Sequence, residues 1–127
     1  MTDGIRANLS DDGTKVSLEF LPASGVQGTL HLTADQLLKL NQQLGSLRAQ
    51  MVKNDTVPEL EGQQIEAIIN PKWHLQPGLI GEASMLCFQH PAFGPLGFAV
   101  PVDQVQKMVQ LLSNHVALAA KSRETPQ

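Results

Sequence analysis

The chain has 127 residues, a formal net charge of −3 and an apolar fraction of 42%. This length and composition are those of one globular domain with its own core, which excludes a disordered chain. Acidic and basic residues alternate without forming a basic stripe, which argues against a nucleic-acid partner, and no apolar run is long enough for a membrane span.

Three strands are predicted at the start of the chain. Ile5–Ser10 forms the first, and Asp11–Gly13 has the composition of a hairpin turn. Lys15–Leu21 alternates apolar and polar residues as a half-buried strand does. Gly28–Leu32 supplies the third strand, with Leu30 and Leu32 pointing inward and His31 outward.

A helix follows these strands. Thr33 has the character of an N-cap with Gln36 three residues on, which together predict a capping box. The helix is expected to end near Val52. Its inward stripe, spaced at three and four residues, consists of Leu37, Leu40, Leu44, Leu47 and Met51.

The second half of the chain repeats this order. Gln64–Ile69, with a further piece at Trp73–Leu75, is predicted to form its first strand, and Glu82–Phe88 and Leu96–Val100 the other two. Pro101 suits the first turn of a helix, where a missing N–H is tolerated. The inward stripe of this second helix is predicted to be Val105, Met108, Leu112, Val116 and Ala119.

The two halves align without a gap at an offset of 68 positions, Ser17–Leu44 against Met85–Leu112. Apolar residues would match between any two amphipathic elements, because both need a core-facing side. Polar residues have no such reason to match, so the shared ones indicate an internal duplication. The identical pairs are Leu18/Leu86, Phe20/Phe88, Asp35/Asp103, Gln36/Gln104, Lys39/Lys107, Gln42/Gln110 and Leu44/Leu112.

The predicted fold class is therefore α+β, as two tandem βββα units whose strands form an antiparallel sheet with two helices on one face. Whether the units share one sheet or form two is left open. Within a single domain, unit one is expected at 4–52, a linker at 53–63, unit two at 64–120 and a flexible tail at 121–127.

The copies differ on the side of the strands away from the core. Ser17 and Glu19 become Met85 and Cys87, so the second unit has an apolar outer face. Internal cover, a homodimer and another partner are each compatible with such a face. The predicted interaction residues are Trp73, Met85, Cys87, Phe93, Leu96 and Ala99.

Motifs for chemistry are scarce. The four histidines have no spacing typical of zinc ligands, and His90 lies on the opposite face of the strand from Cys87, so it cannot activate that thiol. There is no nucleophile elbow, phosphate loop or dinucleotide fingerprint. We therefore expect no catalytic residue, no metal site and no cofactor.

The resulting hypothesis is a non-enzymatic interaction or regulatory protein that self-associates through its second unit. The alternative is a small-molecule-binding module with a cleft between the units, where His74 and His90 provide the polar contacts. The N-terminal residues lack the apolar segment of a signal peptide, and we expect a cytoplasmic protein that does not bind nucleic acid or membranes.

Overall fold

The computed structural model of the chain describes residues 4–78 and 81–124. The chain divides into two compact units. The first runs to Glu66 and also includes the turn Ala92–Gly94, and the second comprises the remaining residues. Within the described ranges, neither helix combines the length and the apolar character needed to cross a lipid bilayer.

Unit 1 is a three-stranded antiparallel sheet followed by a helix. The strands are β1 (Ile5–Leu9), β2 (Lys15–Phe20) and β3 (Thr29–Thr33), in the order β1-β2-β3. The helix α1 (Ala34–Met51) contacts β2 and β3. The turn Ala92–Gly94 is tied to α1, whose Asn41 and Gln42 side chains donate hydrogen bonds to its backbone carbonyl groups.

Local sequence explains where α1 begins. The Thr33 hydroxyl accepts a hydrogen bond from the backbone N–H of Gln36, and the Gln36 side chain accepts one from the backbone N–H of Thr33. This reciprocal pair satisfies two backbone donors that the first helical turn leaves free. The predicted capping box and the predicted end of the helix at Val52 are both confirmed.

Unit 2 has the same order of elements. Its strands are β4 (Trp73–Pro77), β5 (Ala83–His90) and β6 (Gly94–Pro101), in the order β4-β5-β6, followed by the helix α2 (Val102–Glu124). The α+β class with antiparallel strands is thus confirmed. The strands form two three-stranded sheets, however, and not one antiparallel sheet with both helices on one face.

The two units share one register. Ile5 faces Phe20 across β1 and β2, and Trp73, 68 positions after Ile5, faces Phe88 across β4 and β5. The same offset relates the first residues of α1 and α2. This agreement is compatible with the tandem units that the sequence indicates.

The structure differs from the sequence-based boundaries at three places. Gln64–Ile69 forms no strand, and the first strand of unit 2 is β4, which reaches Pro77. Pro101 was expected in the first turn of the helix, but it is the last residue of β6 and directly precedes α2. The helix α2 continues to Glu124, although a tail was expected from Lys121, and the rest of that predicted tail lies outside the described residues.

Little of this structure is buried. Leu32 in β3 is the only hydrophobic residue of the described ranges that is buried, at 8% exposure. Near the start of each helix one apolar residue is half-buried, Leu37 in α1 and Val105 in α2. The later parts of both predicted inward stripes are exposed, with Met51 at 80% and Val116 at 69%.

Candidate functional site

The sheet of unit 2 has two chemically different sides. Side chains alternate between the two sides of a strand, and the pairing of β4 with β5 shows which ones stand together. One side faces α2, and we call it the helix side. The other, called the outer side, carries His74 and Gln76 from β4 and Met85 and Cys87 from β5.

An apolar cleft lies between α2 and the helix side of this sheet. It has a volume of 420 Å³ and contains no charged side chain in its lining. The sheet contributes Leu75, Pro77 and Leu86, and the helix contributes Val105 and Met108. Since a cleft of this size is typical of sites for small apolar ligands, it is the most evident concave site of unit 2.

Unit 1 has a smaller cleft in the corresponding position, with a volume of 160 Å³. Lys15 and Val16 line it, and their counterparts 68 positions later in the larger cleft are Ala83 and Ser84. Val16 pairs with the buried Leu32, and Ser84, its smaller counterpart, leaves more space under the helix of unit 2.

The outer side of unit 2 is built around one cross-strand pair. His74 faces Cys87 directly, and Gln76 faces Met85 two residues further along. The thiol of Cys87 is free and half-buried. Gly97 in β6 lies beside both sulfurs, because a Cβ on this glycine would be 3.3 Å from Met85 Sδ and 4.0 Å from Cys87 Sγ.

The same position in unit 1 holds an ion pair. Arg6 faces Glu19 across β1 and β2, with Arg6 Nη1 and Glu19 Oε2 3.5 Å apart. Both side chains are well exposed, so this pair adds little to stability. The corresponding positions in unit 2 therefore exchange two charges for an imidazole and a thiol.

One carboxylate in the described residues has a clearly shifted pKa. Asp12, in the turn between β1 and β2, accepts hydrogen bonds from the Ser10 hydroxyl at 2.7 Å and from the Thr14 backbone and hydroxyl. These bonds, that from Ser10 foremost, lower the pKa of Asp12. Through these hydrogen bonds the carboxylate orders the turn between β1 and β2.

The six predicted interaction residues are divided among three places. Met85, Cys87 and Ala99 lie on the outer side, as the sequence suggested. Trp73 and Leu96 alternate to the helix side. Phe93 lies in the turn Ala92–Gly94, where its carbonyl oxygen accepts a hydrogen bond of 3.1 Å from Gln42 Nε2.

The two histidines proposed as polar contacts of a cleft do not share a side. His74 stands on the outer side opposite Cys87, whereas His90 follows Leu86 and Phe88 on the helix side. The sequence analysis correctly separated Cys87 from His90, but it did not place His74 beside Cys87. The offset of 68 could have identified this neighbour. Adding 68 to the residue numbers of the first hairpin places Trp73–Pro77 opposite β5.

Comparison with protein-family models, with curated proteins and with solved structures finds no match for this chain. Its function has to be inferred from the two sides of unit 2.

Proposed function

We propose that the chain is a non-enzymatic interaction protein that self-associates through the helix side of unit 2. The observation that carries this proposal is the exposure of large apolar side chains there. Trp73 is 66% exposed and Phe98 54%. Apolar groups on this scale are normally covered in a folded protein, because their burial is worth about 25 cal/mol per Å².

The second half of α2 strengthens the argument. Apolar residues there occupy more than one face, since Leu111 and Leu118 lie off the stripe formed by Leu112 and Val116, and all four are exposed. A helix that is apolar on several faces is typical of a buried helix. These four exposed side chains are the ones that a partner surface would cover.

The total accessible surface leads to the same conclusion. The chain of 13.7 kDa exposes 11387 Å², whereas two separate folded units of half that mass would together expose about 8,000 Å². Apolar side chains of the segment between α1 and β4, such as Leu60 and Ile69, also contribute. The difference is on the order of 3,000 Å² for one chain, whereas an obligate dimer buries roughly 1,000–2,500 Å² of each chain, so the excess is large enough to include such an interface.

A second copy is the favoured partner. Two-fold assemblies are the commonest kind, and in them the same patch is used by both chains. The cleft beside this patch contains no charged side chain, so two copies can meet there without like-charge repulsion. The proposal includes a cytoplasmic location, since a single free thiol persists in a reducing compartment.

Light scattering after size exclusion, over a hundredfold range of concentration, tests this proposal. We expect a mass twice that of the 13.7 kDa chain. Val116→Glu places a charge on the exposed apolar helix and should weaken self-association at least about 100-fold, because a buried unpaired charge costs several kcal/mol.

Gln110→Glu is the matched control, since Gln110 is an exposed polar residue of the same helix, and it should leave the mass unchanged. Circular dichroism establishes that both variants fold. A folded wild-type monomer at every concentration contradicts the proposal, as does a Val116→Glu variant that assembles like the wild type.

A second candidate function is the binding of a small apolar molecule. The observation that favours it is the 420 Å³ cleft, which lies inside unit 2 and not between the units. Met108→Trp would fill the cleft and should abolish the fluorescence increase of an apolar dye such as anilinonaphthalene sulfonate. An unchanged dye response would remove this candidate.

We also propose that the units arose by duplication. The support is the common offset of 68 in sequence, element order and strand register. In this account the enlarged cleft and the exposed apolar residues of unit 2 are later changes in one copy.

A further inference from the structure

Three side chains with soft donor atoms lie together on the outer side of unit 2. His74 and Cys87 are directly opposite each other, and such pairs have Cβ atoms about 4.5–5.5 Å apart. Met85 precedes Cys87 by two residues on the same side, and it is diagonal to His74, a separation that a long side chain can reach.

Gly97 in β6 lies beside both sulfurs. A Cβ atom on Gly97 would lie 3.3 Å from Met85 Sδ and 4.0 Å from Cys87 Sγ. The backbone of Gly97 has no positive φ that would require glycine. Any larger residue at this position would crowd the Met85 thioether and the Cys87 thiol. The glycine therefore leaves room for both side chains.

The ring of His74 contacts a neighbouring amide side chain of the same strand. His74 Nε2 lies 3.1 Å from Gln76 Oε1. In the tautomer whose Nε2 donates this hydrogen bond to the amide oxygen, Nδ1 is the nitrogen that a cation would take. A ring N–H bound to a carbonyl oxygen is the usual support of a metal-ligating histidine.

Unit 1 shows that this combination is not a necessity of the fold. The counterparts of the three donors, 68 positions earlier, are Arg6, Ser17 and Glu19, and Thr29 stands where unit 2 has Gly97. None of these side chains contains sulfur or imidazole. The same backbone register therefore holds hard, charged groups in one unit and soft, uncharged donors in the other.

We propose that His74, Met85 and Cys87 form a binding site for a soft monovalent cation of the Cu(I) class. Thiolate and thioether ligands select Cu(I) over harder ions, and imidazole is compatible with it. Among the described residues, no third His, Cys, Asp or Glu joins His74 and Cys87 in a group that could hold a metal ion, so the third ligand in this proposal is the Met85 thioether.

Binding is a simple exchange. The Cys87 thiol releases its proton to solvent, and the sulfur forms a bond to the cation, so one proton leaves for each ion bound. No electron is transferred, and the cation keeps its oxidation state.

The test is an anaerobic titration of the reduced, full-length protein with Cu(I), in competition with the chromophoric chelator bicinchoninate. We expect one ion per chain, with the ultraviolet absorption of a copper–thiolate bond. Cys87→Ser should abolish binding. Met85→Leu, which preserves side-chain volume, and His74→Asn should each weaken it at least about tenfold.

Met51→Leu and His31→Asn are the matched controls, because they change the same residue types outside the outer side of unit 2, and both should bind like the wild type. If only Cys87→Ser matters, the thiol alone holds the ion and the proposal is wrong. One ion for every two chains would also overturn it, since that indicates a thiolate bridge between copies.

The outcome is separable from self-association, which is proposed for the helix side of the sheet. The Val116→Glu variant should keep its Cu(I) affinity whether or not it assembles.

Discussion

The backbone N–H of Gly78 donates a hydrogen bond of 2.8 Å to the carbonyl oxygen of Ala83, and a Cβ on Gly78 would lie 2.9 Å from that same oxygen. This contact closes the hairpin of β4 and β5. Because the clashing atom belongs to the backbone, it cannot move aside as a flexible side chain would.

Gly78→Ala should therefore lower the free energy of unfolding of unit 2 by roughly 1–3 kcal/mol. The fluorescence of Trp73, the only tryptophan, follows this unit during urea denaturation. Gly45→Ala is the contrasting substitution, since a Cβ there meets nothing within 4 Å in the exposed part of α1. It should stabilise α1 by up to about 1 kcal/mol, and equal effects of the two changes would contradict this account.

Leu32 and Leu30 provide a second comparison within one strand. Leu32 is 8% exposed and Leu30 43%. Leu32→Ala should cost about 2–3 kcal/mol of unfolding free energy, near the lower end for core leucines because the core is thin. Leu30→Ala should cost less than half as much. Denaturation followed by circular dichroism measures both, and a similar loss for the two variants would show that the burial of Leu32 does not support unit 1.

The capping box of α1 gives a third prediction. Thr33→Ala removes the hydroxyl that accepts the Gln36 N–H and should lower stability by about 1 kcal/mol. Thr33→Ser keeps the acceptor and should retain most of it. Hydrogen exchange at the Gln36 amide reports the bond directly. Fast exchange in both variants would mean that the hydroxyl does not protect this amide.

The turn at Asp12 makes a prediction about pH. The folded-state pKa of Asp12 is lowered, chiefly by the Ser10 hydroxyl. A lowered pKa contributes stability above the unfolded-state pKa, about 3.9, and this contribution is lost as the pH falls through the folded-state value. Ser10→Ala should move the pKa of Asp12 up toward its ordinary value, as measured by carboxyl ¹³C NMR.

Ser24→Ala is the control for this titration, because the Ser24 hydroxyl bonds to backbone carbonyls of its own turn and not to Asp12. An unchanged Asp12 pKa in the Ser10→Ala variant would show that the Ser10 hydroxyl is not its main hydrogen-bond donor.

Local features of this fold were predictable from the sequence, and those that depend on distant pairing were not. The capping box at Thr33 and the turn at Asp11–Gly13 follow from residues within a few positions of each other. The strand predicted at Gln64–Ile69 has an apolar pattern, but the partner of β5 is β4. Contacts across the sheet decide which segment pairs with β5. The residue pattern of a single segment does not reveal those contacts.

The candidate site shows the same division. The apolar outer positions Met85 and Cys87 follow from comparing the two units, but the neighbour of Cys87 depends on register. The exposure of α2 beyond its first turns was also not predictable, since a periodic stripe shows which residues need cover and not what provides it. With 23 residues, α2 is about 35 Å long, longer than the eight-residue strands beside it, which span about 27 Å.

The hairpins β1–β2 and β4–β5 have the same strand register at an offset of 68 positions. A side chain of β4 or β5 can therefore be placed at the equivalent position of β1 or β2, 68 residues earlier in the chain. Placing the donors of unit 2 at Arg6, Ser17 and Glu19 would ask whether three side chains and a sheet suffice, or whether the rest of unit 2 is needed.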